Sequence, residues 1–126
     1  YIMIKGIGTD LIKIERLAKS LERHGERFAQ RILSEQEFKE FQLSSQKANF
    51  LSKRFAAKEA VSKALGTGIA LGVSWQDIEL SHLESGQPIV KLCAGAKQQA
   101  DKLNAENVHI SLSDEGGFVS AFAVLN

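Results

Sequence analysis

The chain has 126 residues, 44% of them hydrophobic and 25% charged, with a formal net charge of +1. That balance suits one compact globular domain, 1–126, long enough to bury a core without staples. It gives no basic field for bulk nucleic-acid binding, and one cysteine excludes an internal disulfide and a Cys-based zinc site. No apolar run reaches the length of a membrane span and no signal peptide is expected, so the expected location is a reducing cytoplasm. Tyr1 is not a normal translation start; Met3 is the expected native first residue, with Tyr1-Ile2 left from processing or handling.

"IMIKGIG" predicts an opening strand that ends in glycines. "DLIKIERLAKSLER" places Leu11, Ile14, Leu17 and Leu21 on one face, the period of an amphipathic helix, and Asp10 at its head fits an N-cap. Gly25 is expected to interrupt it before a shorter turn through Phe28 and Ile32. In "LSEQEF", Ser34 and Glu37 form a capping box, with Leu33 and Phe38 as the hydrophobic staple. The helix that follows Ser44-Ser45 carries "RFAAKEAVSKA", and Gly66 is placed to end it.

The second half is strand-like. "WQDIELSHL" and "PIVKLC" are joined by "ESGQ", a hairpin signal, with Pro88 at a strand start. Cys93 in this run is expected to pack inside. "AGAKQQADKLNAEN" reads as a short helix. "VHISLS" alternates, with Val108, Ile110 and Leu112 on one side and His109, Ser111 and Ser113 on the other. "FVSAFAVL" is apolar on both faces, so a helix or another subunit should cover the second one. The order predicts an α+β fold with a mainly antiparallel sheet and no linker or repeat.

Two features point to chemistry. Ala56, Ala57, Ala60 and Ala64 make the central helix thin, and Glu59 and Lys63 are neighbours on one of its faces. An exposed ion pair is the ordinary reading of that spacing. Asp10, however, follows "GIG", and two carboxylates that meet at a strand end need a cation between them. Oxygen ligands favour Mg²⁺, which keeps waters and takes substrate phosphates. Lys63 would then touch those phosphates. His24 and His82 lie in turn-like polar stretches and are assigned no role.

Gly8-Thr9-Asp10, followed by Phe55-Ala56-Ala57-Lys58-Glu59-Ala60-Val61-Ser62-Lys63, resembles the paired motifs of the bacterial holo-[acyl-carrier-protein] synthases. These are the short class of 4′-phosphopantetheinyl transferases. Length, element order, the "GQP" turn and the "HISL" strand extend the resemblance over essentially the whole chain. It implies Mg²⁺-dependent transfer of 4′-phosphopantetheine from coenzyme A to a serine of apo acyl carrier protein, in support of fatty acid biosynthesis. The implied metal ligands are Asp10 and Glu59, and the implied catalytic groups are Glu59 and Lys63. Arg54, Lys58, Lys63, Gly66, Pro88 and His109 are the implied coenzyme A contacts. The base is left open between Glu59 and a metal-bound water. Many relatives carry His where Asp114 stands here, which leaves that role to Asp114 or to nothing.

Arg16, Ser20, Arg23 and Arg27 share a stripe if their helix persists, and a mixed solvated face is the usual meaning of such a stripe. Since acyl carrier proteins are acidic, the resemblance makes Arg16, Arg23 and Arg27 a docking surface. It also implies a homotrimer, with Asp10, Glu59 and Lys63 from one chain and His109 and Gly86-Gln87-Pro88 from the next.

Overall fold

The computed structural model describes residues 3–126, so the expectations for Tyr1 and Ile2 lie outside the described residues. The longest helix, α4 (Lys47–Ala64), is the axis of the fold. Its alanines Ala56, Ala57, Ala60 and Ala64 are buried, which lets a sheet approach its backbone. That sheet is antiparallel, in the order β1 (Gly6–Lys13), β5 (Phe118–Leu125), β4 (Val108–Glu115). Val119, Ala121, Ala123 and Leu125 of β5 and Ile12 of β1 form its inner face against α4.

Gly6 and Gly8 make the closest approach. A Cβ on Gly8 would overlap the Ala60 carbonyl oxygen and stand 2.7 Å from the Ala64 nitrogen. A Cβ on Gly6 would overlap the Ala64 carbonyl oxygen. These glycines are there for space, not for an unusual backbone angle. They also correct one expectation. Asp10 does not open a helix; it lies within β1, and α1 begins only at Ile14 (Ile14–His24). The apparent helical period over Leu11 and Ile14 is accidental, since Leu11 is 67% exposed and Ile12 points inward.

Gly25, at φ +68°, separates α1 from α2 (Glu26–Ile32). α3 (Glu35–Leu43) starts on the predicted capping box: the Ser34 amide donates to Glu37 Oε1 at 2.9 Å, and the Glu37 amide donates to Ser34 Oγ at 3.2 Å. After α4, a 3₁₀ turn (Trp75–Asp77) leads into the hairpin β2 (Ile78–His82) and β3 (Pro88–Leu92), and α5 (Ala94–Lys102) precedes β4. Cys93 does not pack inside. It stands exposed at the head of α5.

A charged pair lies within this core. Glu37 and Lys58 are both essentially inaccessible, and Lys58 Nζ is 2.7 Å from Glu37 Oε1. The ammonium also donates to the carbonyls of Trp75, at 3.0 Å, and Ile78. Glu37 Oε2 accepts from the Leu80 amide at 3.0 Å. Thus the free edge of β2 is closed by two side chains rather than by a strand. β5 resolves as half covered: α4 takes one face, while Phe118 and Phe122 remain exposed beside Ile7 and Leu11 of β1.

Candidate active site

Asp10 follows Gly8 on the inner row of β1, so the close approach at Ala60 and Ala64 delivers its carboxylate to α4. Lys63 Nζ lies 2.9 Å from the Thr9 carbonyl oxygen and 3.4 Å from Asp10 Oδ1. Glu59 shares this corner. Burial, and after it the Asp10 carboxylate, push the Glu59 carboxyl above its ordinary value, against the pull of Lys63 and Arg16. The structure therefore brings Asp10, Glu59, Lys63 and Arg16 together from β1, α4 and α1.

Among the described residues, no three His, Cys, Asp or Glu side chains converge to cage a metal. The two-carboxylate, all-oxygen set at Asp10 and Glu59 fits Mg²⁺, which completes its shell with waters and phosphate oxygens. A second negative charge held against a half-buried first one is stabilised by just such a cation.

Lys58 is corrected. One position before Glu59 on the helix, it points into the core and has no surface to offer a cofactor. Burial lowers its pKa while Glu37 opposes the shift. Arg54 is nearly buried as well. Its guanidinium stacks 4.1 Å above the Phe50 ring, and Nη2 is 3.2 Å from Glu40 Oε2. Its Nε has no hydrogen-bond partner and lies 3.8 Å from Glu37 Oε2. Arg54 borders an open hollow of about 300 Å³ between α3, α4 and His82.

A second hollow of about 170 Å³ is lined by Lys53, His82, Gly86, Pro88, Leu112, Ser113 and Asp114. Pro88 is thus at a cavity, in the hairpin the sequence predicted. Asp114 is occupied by an ion pair with Lys53 at 3.1 Å. Gly66, at φ +83°, turns the chain out of α4 just beyond Lys63. Lys53 and His82 line both hollows and were passed over in the sequence, where neither belongs to a motif.

His109 is not brought to Asp10 within the chain. It pairs with Val124 on the outer sheet face, with Nε2 3.1 Å from Asn126 Oδ1, while Asp10 faces α4. Nor do the arginines form one stripe. Arg16 and Arg23 are exposed on α1, whereas Arg27 lies beyond the break at Gly25, on α2.

The chain belongs to the 4′-phosphopantetheinyl transferase superfamily, whose model matches residues 6–122. It is 50% identical over 123 residues to the holo-[acyl-carrier-protein] synthase of Vibrio cholerae serotype O1, covering 98% of each chain. The solved structure of that enzyme from Neisseria meningitidis superposes with a TM-score of 0.91 at 39% identity, over 98% of this chain and 99% of that one. The Helicobacter pylori enzyme, solved in complex with coenzyme A, gives a TM-score of 0.83 at 33% identity, over 95% and 99% of the two chains.

Proposed function

We propose that this chain transfers 4′-phosphopantetheine from coenzyme A to a serine of an apo acyl carrier protein, supplying holo carrier protein for fatty acid biosynthesis. The observation that carries this is the Asp10–Glu59–Lys63 corner, in a chain half identical to a holo-[acyl-carrier-protein] synthase. The serine oxygen forms a bond to the β-phosphorus. The bond from that phosphorus to the bridging oxygen breaks, and 3′,5′-ADP leaves with the electron pair. Phosphoryl transfer of this kind depends on positioning and charge stabilisation.

Asp10 and Glu59 are the assigned holders of Mg²⁺, which when bound supplies positive charge to the pyrophosphate oxygens. Lys63, half exposed beside Asp10, neutralises a further phosphate oxygen. Glu59, in its ionised form, is the assigned acceptor of the serine proton.

The exposed sheet face of Ile7, Leu11, Phe118 and Phe122 is apolar, and a homotrimer would cover it. That assembly would also carry His109, on the wrong face of its own chain, to a neighbour's Asp10 and Glu59. Arg16, Arg23 and Arg27 are the assigned contacts for the acidic carrier protein. The reaction belongs in the cytoplasm; among the described residues no helix is long and apolar enough to cross a membrane. Mass spectrometry of an apo carrier protein incubated with coenzyme A, Mg²⁺ and this chain tests the reading. A mass gain equal to the phosphopantetheine arm is expected, and an unmodified carrier overturns it.

A further inference from the structure

The Asp10 carboxylate already has a cation of its own. β1 is an edge strand of its sheet, and Lys63 reaches it from α4: Nζ donates to the Thr9 carbonyl oxygen at 2.9 Å and lies 3.4 Å from Asp10 Oδ1. Arg16, from α1, is the other cation that acts on Glu59 beside Lys63. Two carboxylates thus face two bases, and the corner is electrically balanced when Glu59 is ionised. The paired side chains differ in freedom. Asp10 is 16% exposed and seated on the strand, whereas Lys63 is 53% exposed on a flexible four-carbon stem, so the ammonium can leave without disturbing the core.

That balance bears on the divalent ion assigned above to Asp10 and Glu59, and the inference rests on that assignment. Such an ion meets the Lys63 ammonium at the same carboxylate, and like charges this close repel strongly outside bulk water. By itself the ion gives the corner two positive charges in excess. The pyrophosphate of coenzyme A carries one negative charge on each phosphorus. It therefore matches the excess and offers the ammonium a phosphate oxygen in place of Asp10.

We propose that Lys63 is the resident counter-cation of Asp10, that it competes with the divalent ion for this carboxylate, and that it gives the carboxylate up when the pyrophosphate of coenzyme A draws the ammonium away. Lys63 thereby couples the two ligands. Each binds weakly alone and more tightly with the other, by the same factor in both directions. Without nucleotide, the chain's own bases keep the two acids neutralised.

Mn²⁺ serves as the probe, its free concentration read by electron paramagnetic resonance. The full-length protein is titrated without nucleotide and with saturating coenzyme A, with no carrier protein present, so that no transfer takes place. A protein-free blank corrects for Mn²⁺ held by coenzyme A in solution. Lys63→Met keeps the reach of the side chain and removes its charge. It should bind Mn²⁺ alone several-fold more tightly than the wild type, and the gain in Mn²⁺ affinity brought by coenzyme A should shrink several-fold. Lys63→Gln is measured alongside it. Lys19→Met removes an exposed cation that pairs with Glu15 at 3.3 Å, makes the same change in net charge, and should bind Mn²⁺ as the wild type does. Unchanged or weaker Mn²⁺ binding by the folded Lys63 variants, or an equal rise in Lys19→Met, overturns this inference and leaves the proposed transfer standing. Failure of the wild type to bind Mn²⁺ even with coenzyme A would remove the metal assignment on which both rest.

Discussion

Gly8→Ala tests the close approach on which the site depends. The added methyl would overlap the Ala60 carbonyl oxygen, stand 2.7 Å from the Ala64 nitrogen and 3.0 Å from Lys63 Cβ. Two of those neighbours are helix backbone and cannot rotate away. β1 must therefore move off α4 by about an ångström before ordinary contact is restored. Overpacking of this kind costs about 1–3 kcal/mol, offset by about 0.4–1 kcal/mol from the stiffer unfolded chain. The greater effect falls on catalysis, because the same movement carries Asp10 away from Glu59 and Lys63. A misplacement of about 1 Å is enough to lower the rate about a hundredfold. Denaturant unfolding and single-turnover transfer at saturating coenzyme A, carrier protein and Mg²⁺ measure the two effects. Gly25→Ala is the control: it forces a side chain into φ +68°, but no neighbouring atom lies within 4 Å, so stability should fall while transfer persists. If Gly8→Ala folds with wild-type stability and transfers at the wild-type rate, β1 does not set the position of Asp10 and the reasoning is refuted.

Glu59→Gln should lose at least a hundredfold in transfer yet melt, without metal, at or above the wild-type temperature, because the fold disfavours the charged form of Glu59; a lower melting point contradicts this. Lys58→Met removes the nearer of the two cations at buried Glu37, leaving only Arg54 Nε at 3.8 Å, and should destabilise by about 3–5 kcal/mol in urea titrations, so a loss under about 1 kcal/mol would show that the pair contributes little. Arg16→Glu should raise KM for the carrier protein in a salt-dependent way and leave coenzyme A affinity intact; the opposite pattern removes Arg16 from the docking surface. Refolding Glu59→Ala with His109→Ala in equal amounts should restore about a quarter of the sites if each site is split between neighbours in a ring. Mixed assemblies no more active than the parents would place both groups in one chain's site.

The candidate site residues were more legible than the backbone that carries them. Asp10, Glu59 and Lys63 were singled out by the resemblance of their paired motifs to a known family, since by spacing alone an N-cap and an exposed ion pair are the ordinary meanings. The extent of β1 could not. Its inner row is Gly6, Gly8, Asp10 and Ile12, so the alternation that marks a strand is masked by two glycines and an acid. Those glycines answer to α4, more than fifty residues away in sequence, and no local pattern records that. Lys58 misled for a related reason. Next to Glu59 in a charged motif it looks like part of the site, but neighbours on a helix point about 100° apart, and its partner Glu37 was visible only as a helix cap. Lys53 and His82 gave no signal because the hollows they line exist only after α3, α4 and the hairpin come together.

The closure of β2 by Glu37 and Lys58 bears on how the protein fails as well as on how it folds. A strand edge with a free amide and free carbonyls is a template on which another extended chain can add. Here the Leu80 amide and the Ile78 carbonyl are held by side chains reaching from α3 and α4, so the template is masked only while both helices are docked. Partial opening of α3 would unmask the β2 edge and lift Phe38 and Phe41 off the core in the same step. A self-association route is thereby coupled to one local opening, and the strength of a single buried ion pair governs how often it is taken.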